Sequence, residues 1–124
     1  MPLKIVVADS HAFIRRSLSQ LIAEEPDLEL IGEASDGLEA IRAVHALQPD
    51  LLLTAFKMPR MSGLEVLQYL RDEKNSVAII IFSDHAEEPY VEAARRLGAD
   101  AFVAKQSGLD VLLAAIHAVR DRNG

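Results

Sequence analysis

Residues 50–63 read DLLLTAFKMPRMSG. From Asp50 to Ala55 the stretch is apolar nearly throughout, which marks a strand covered on both faces, as in a parallel sheet. Lys57-Met58-Pro59 ends the run, and Ser62-Gly63 opens a helical pattern in Leu64, Leu67 and Leu70. Strand, loop and helix in this order make half of a βαβ unit. The strand ends on Ala55, a methyl group where α/β proteins usually keep their chemistry.

The same unit recurs along the chain. Strands are expected at KIVVAD (Lys4–Asp9), LELIGEA (Leu28–Ala34), DLLLTA (Asp50–Ala55), VAIIIFS (Val77–Ser83) and AFVAK (Ala101–Lys105). The second alternates, with Glu29 and Glu33, and suits a sheet edge. Helical spacing follows each strand: Ile14, Leu18, Leu21 and Ile22; Ile41, Val44 and Leu47; Leu64, Leu67 and Leu70; Val91, Ala94 and Leu97; Leu112, Ile116 and Val119. Pro26-Asp27, Gln48-Pro49-Asp50 and Leu97-Gly98 punctuate the elements, and Pro89 falls in a first helical turn, where its missing N–H does little harm. The fold class is therefore α/β. It is a (βα)₅ doubly wound, flavodoxin-like three-layer sandwich with sheet order 2-1-3-4-5 and a single domain over residues 1–124. Such sheets bind ligands beyond the carboxyl ends of strands one and three, here at Asp9-Ser10 and Ala55, flanked by Ser83 and Lys105.

Composition narrows the function. Half of the 124 residues are hydrophobic, enough for a core. There is no cysteine, which excludes disulfides and thiolate chemistry and suits a reducing cytoplasm. A net charge of −6 argues against direct nucleic-acid binding and against an anionic membrane surface. The longest apolar runs are too short to span a bilayer. His11, His45, His85 and His117 show no metal-ligand spacing. No glycine-rich phosphate loop is present. No nucleophile–base pair is visible, so an enzyme is not expected.

VVADSHAFIRRSLSQLI, GEASDGLEAI, PDLLLTAFKMPRMSGLEVL and IIIFSDHAEEPYVEAARRLGADAFVAK, in this order and spacing, resemble the receiver domain of bacterial two-component response regulators. The likeness is greatest to receivers that precede a helix-turn-helix DNA-binding domain. The resemblance implies a pocket in which acidic residues hold Mg²⁺ and an aspartate accepts a phosphoryl group from a histidine kinase. Carried over position by position, Asp9 matches the first acid, and Ser10 stands where the second belongs. Ala55 stands where the phosphoacceptor belongs. Ser83 matches the switch hydroxyl, Phe102 the switch aromatic and Lys105 the phosphate-binding lysine. Gln106 replaces a common proline.

The resemblance thus implies an atypical receiver. Ala55 has no nucleophile. One carboxylate, Asp9, is a poor Mg²⁺ site, so no cofactor is expected. Thr54 cannot take over, because side chains alternate and its own faces away. Asp9 and Lys105 should pair, directly or through water. The expected function is regulation by a protein partner or self-association through helix four, strand five and helix five, without aspartyl phosphorylation. Two other readings stand beside it. One is an ordinary receiver carrying an Asp→Ala change at position 55, against which Ser10 speaks. The other is a small-ligand or anion sensor using the vacated pocket. Alone, Asp9 would be a helix cap, Ser83 a turn serine capping helix four, Lys105 a solvated charge and Phe102 core. Arg15-Arg16 and Arg95-Arg96 read as solvated faces, and Arg120–Gly124 as the start of a linker or a natural end.

Overall fold

The computed structural model describes residues 1–123. Five strands, β1 (Leu3–Ala8), β2 (Leu28–Ala34), β3 (Leu51–Thr54), β4 (Ala78–Ser83) and β5 (Ala101–Ala104), alternate with α1 (Ala12–Ala23), α2 (Gly37–Leu47), α3 (Gly63–Asp72), α4 (Glu88–Leu97) and α5 (Leu109–Asn123). The strands form one parallel sheet in the order β2-β1-β3-β4-β5. The α/β sandwich, its order and its edge strand β2 are as expected. Lys105 lies just past β5, in a 3₁₀ turn at Lys105–Ser107. Arg120 to Asn123 continue α5 instead of opening a linker, and Gly124 lies outside the described residues.

Alternation along the strands builds two cores. Val6, Ala8, Leu52, Ile79 and Ile81 face α2, α3 and α4, where Val44, Leu67 and Ala94 meet them. Ile5, Val7, Leu51, Leu53 and Ile80 face α1 and α5, where Ile22, Leu112 and Ile116 close the other side. In β3, and from Ile5 to Ala8 of β1 and Ile79 to Phe82 of β4, each residue is thus buried whichever face it takes, so these runs are apolar nearly throughout. Leu47 departs from its helical stripe and is exposed at the end of α2. Its Cδ1 covers the edge residue Gly32, where a Cβ would come within 2.6 Å.

The loop from β3 to α3 is held by main-chain groups. The Gly63 N–H donates to the Phe56 carbonyl at 2.7 Å. Ser62 caps α3 by accepting from the Glu65 N–H, and the Glu65 carboxylate accepts from the Ser62 N–H, a reciprocal capping box. Gly63 has no room for a side chain: a Cβ would stand 2.3 Å from the Ala55 carbonyl oxygen. Ser62→Ala should therefore cost about 1 kcal/mol as a lost cap. Gly63→Ala should cost more, about 1–3 kcal/mol, because the end of β3 must shift. Urea unfolding of the two variants checks the order.

Candidate functional site

The register of β1 on β3, Ile5↔Leu51 through Ala8↔Thr54, brings Asp9 and Ala55 side by side at the carboxyl end of the sheet. The Ala55 N–H continues the ladder by donating to the Ala8 carbonyl at 2.8 Å. Ser83 ends β4 opposite Ala104 of β5, so Lys105 follows on the same rim. Asp9, Ala55, Ser83 and Lys105 are thus gathered from four strands.

Asp9 is 2% exposed, and both of its carboxylate oxygens are engaged. Oδ1 accepts the His11 backbone N–H at 2.9 Å and lies 3.0 Å from His11 Nδ1. Oδ2 accepts from Lys105 Nζ at 3.3 Å. The expected Asp9–Lys105 pair is direct. Lys105 is mostly buried, and its ammonium stands 5.8 Å from the centre of the Phe82 ring. Arg15 adds a second clamp, donating to the Asp9 carbonyl at 2.6 Å and pairing with Glu33 at 3.2 Å. It is therefore more than a solvated charge. Asp9 does not cap α1: the N-cap residue is His11, and the Asp9 carboxylate accepts the His11 backbone N–H and none from the first turn of the helix.

Ala55 is buried at the end of its strand, beside Asp9 by register. Thr54 is buried too, its hydroxyl donating to the Ala55 carbonyl at 3.1 Å, with the Met58 sulfur 3.8 Å from that hydroxyl oxygen. Ser83 Oγ accepts the His85 N–H at 2.9 Å. It does not cap α4, whose N-cap residue is Glu87. Ser10 is half-buried and lines a groove of about 380 Å³ with His11, Lys57, Met58, Pro59 and Ser62. Mg²⁺ wants an octahedron of hard oxygens, preferably from several carboxylates. The residues present offer one carboxylate, already held by an ammonium and an imidazole, and they do not fit that ion.

Beside the pocket lies an aromatic group that sequence reasoning missed. Phe56 is buried, with its ring centre 4.8 Å from that of Tyr90 and 6.3 Å from those of Phe102 and His85. It joins the end of β3 to α4 and β5. Its one sequence signal is an aromatic directly after a buried strand. Phe102 is half-buried against this group. Of the α4 arginines, Arg95 is taken up by Glu92 one turn away. The hydrogen bond from Arg95, and then its charge, hold the Glu92 carboxyl below its ordinary value. No helix among the described residues is long and apolar enough to cross a membrane.

The Asp9–Lys105 pair can be weighed. Lys105→Met leaves a buried carboxylate with its imidazole and backbone partners only. The loss should be about 2–3 kcal/mol, above the ~0–1 kcal/mol of a surface pair and below the 3–5 kcal/mol of a fully buried one. Adding Asp9→Asn should cost less than the two single losses summed, as a double-mutant cycle in urea would show.

Comparison with known proteins agrees with this geometry. A profile of the response regulator receiver domain matches residues 5–117. The nitrate/nitrite response regulator NarL of Escherichia coli K12 is 39% identical over 116 residues, covering 94% of this chain and 54% of that protein. A protein-glutamate methylesterase/protein-glutamine glutaminase of Geobacter sulfurreducens is 39% identical over 103 residues, covering 83% of this chain and 28% of that one. The chain thus spans about half or less of the length of these relatives. A LuxR-family two-component response regulator from Aurantimonas sp. SI85-9A1 superposes with a TM-score of 0.91 at 28% identity, covering 96% of this chain and 85% of the other.

Proposed function

We propose a function for this chain, which belongs to the response regulator receiver domain family: it is an atypical receiver that works without aspartyl phosphorylation. The observation that carries the reading is Ala55. It sits at the buried strand end, beside an Asp9 whose two oxygens are already spoken for. A methyl group accepts no phosphoryl group. Ser10 adds a second loss, because a neutral hydroxyl contributes little to Mg²⁺ binding. The double departure favours a receiver adapted to other means over a single Asp→Ala change. The closed Asp9–Lys105 contact also speaks against an open anion site, since the lysine that would greet the anion is paired.

On this reading the domain is a regulatory interaction module with no catalysis of its own, working in the cytoplasm beside or downstream of a histidine kinase. Its contacts run through α4, β5 and α5, to a protein partner, a second copy or a DNA-binding segment of the full gene product. Tyr90 on α4 and Leu109 and Val111 on α5 are exposed there and supply apolar area. Phe56 is the inward link, because the ring that touches Tyr90 and Phe102 follows Ala55 directly.

Acetyl phosphate with Mg²⁺ should leave the protein's mass unchanged, and millimolar Mg²⁺ should not raise its melting temperature. A stoichiometric phosphoryl adduct on any pocket residue would sink the proposal. The reverse experiment rebuilds the site. Ser10→Asp combined with Ala55→Asp should be less stable than the parent in chelator, because like charges disfavour one another. The double variant should regain stability with Mg²⁺, by about 2.7 kcal/mol at 100 times the dissociation constant. It should also take up a phosphoryl group from the small donor. Denaturation with and without Mg²⁺, and intact mass, read both outcomes.

A further inference from the structure

We propose that Glu25, Asp27 and His117 form a transition-metal site of the zinc type, clipping α5 to the loop between α1 and β2. Glu25 and Asp27 lie in that loop, and His117 comes from the middle of α5. His117 Nε2 is 3.3 Å from Glu25 Oε1 and 3.9 Å from Asp27 Oδ1. One ligand atom from each residue lies within 4.8 Å of the other two. A tetrahedral Zn²⁺ with bonds of about 2.1 Å holds its ligand atoms about 3.4 Å apart, so the His117–Glu25 pair is already at that spacing, the His117–Asp27 pair needs to close by about 0.5 Å and the carboxylate pair by at most about 1.4 Å.

A second observation points the same way. His117 Nε2 is shut off from solvent and makes no hydrogen bond of good geometry, and neither does Arg120 Nε beside it. A buried polar atom without a partner costs free energy, and such atoms are uncommon in folded proteins. In the tautomer that carries its proton on Nδ1, Nε2 turns a lone pair toward two carboxylates and has nothing to accept. All three groups are electron-pair donors, and a dication satisfies all of them together. One imidazole with two carboxylates suits Zn²⁺ or its neighbours in the transition series, rather than Mg²⁺ or Ca²⁺.

The surroundings are built to keep the group in place. The loop backbone is fixed by the Leu3 N–H donating to the Asp27 carbonyl at 2.9 Å and the Leu28 N–H donating to the Glu25 carbonyl at 3.1 Å. Arg120 Nε lies 3.0 Å from Asp27 Oδ2, and Asp27 Oδ1 is the oxygen that lies 3.9 Å from His117 Nε2. Two carboxylates against one guanidinium leave a net charge of −1 for the ion to meet.

The competing account is an ion pair in which a protonated His117 bridges both carboxylates. Titration calorimetry of chelator-stripped protein with ZnCl₂ separates the two, with MgCl₂ as control. The expected result is one Zn²⁺ per chain and no Mg²⁺ heat. His117→Gln and Glu25→Gln should each weaken Zn²⁺ binding, the first by more than the about 10–100-fold that removal of a merely supporting residue costs. Co²⁺ should give visible absorption bands of a low-symmetry site, lost in His117→Gln. No saturable Zn²⁺ binding by the parent protein would overturn the proposal in favour of the ion pair. So would binding undiminished in a folded His117→Gln, which would place the metal on His11, His45 or His85.

Discussion

The parallel ladder between β1 and β3 is the constraint on which the rest depends. Ala8 pairs with Thr54, so the next residues on the two strands, Asp9 and Ala55, must stand together where both leave the sheet. A slip of one residue would turn every side chain of one strand to the other face, and both faces are filled. Ile5 and Val7 would then enter the layer built for Val6 and Ala8. The apolar pattern therefore sets the register, and the register places the pocket. Ser83 and Lys105 follow from the same logic, because β4 on β3 and β5 on β4 are also parallel and in register.

Within the pocket the charges find a balance that a second carboxylate would disturb. Asp9 is satisfied by Lys105 on one oxygen and by two donors of His11 on the other. An aspartate at position 55 would set another negative charge nearby. At an effective dielectric of about 20, two unit charges ~6 Å apart repel by roughly 3 kcal/mol before screening. A metal ion is the usual remedy for such crowding. The methyl of Ala55 brings no such charge beside Asp9. Lys105 pairs with Asp9 at 3.3 Å.

Much of this was legible in the sequence, and the limits have physical causes. Buried parallel strands are apolar on both faces, so β1, β3 and β4 announce themselves. Asp9, Ala55, Ser83 and Lys105 could be placed because strand ends converge in any doubly wound sheet. Leu47 was misjudged because helical spacing says which residues share a face, not where the sheet beneath stops, and its neighbour is the edge glycine Gly32. Asp9 and Ser83 stand on the rim of the sheet and do not take the cap positions that either residue alone would suggest, because a strand end and a helix start need not adjoin. One or more linking residues intervene, and His11 and Glu87 take the cap positions. Phe56 and the meeting of His117 with Glu25 and Asp27 depend on contacts between distant segments. Periodicity carries no sign of these.

Why should so specific a frame survive around a methyl group? The bonds that build it do not use the side chain at position 55. The Ala55 N–H belongs to the ladder with Ala8, and its carbonyl takes the Thr54 hydroxyl. The loop beyond is closed by the Gly63 N–H on the Phe56 carbonyl and by the Ser62–Glu65 box. Arg60 pairs with Asp36, and the Gly37 N–H donates to the Pro59 carbonyl, tying the loop to the start of α2. A phosphoacceptor in such a frame is a passenger as far as folding is concerned. The main-chain bonds around position 55 make no use of its side chain, and Phe56 meets Tyr90 of α4 and Phe102 of β5 from within. Chemistry and architecture are separable here because the architecture is carried by the main chain and the two cores, and the chemistry by one side chain.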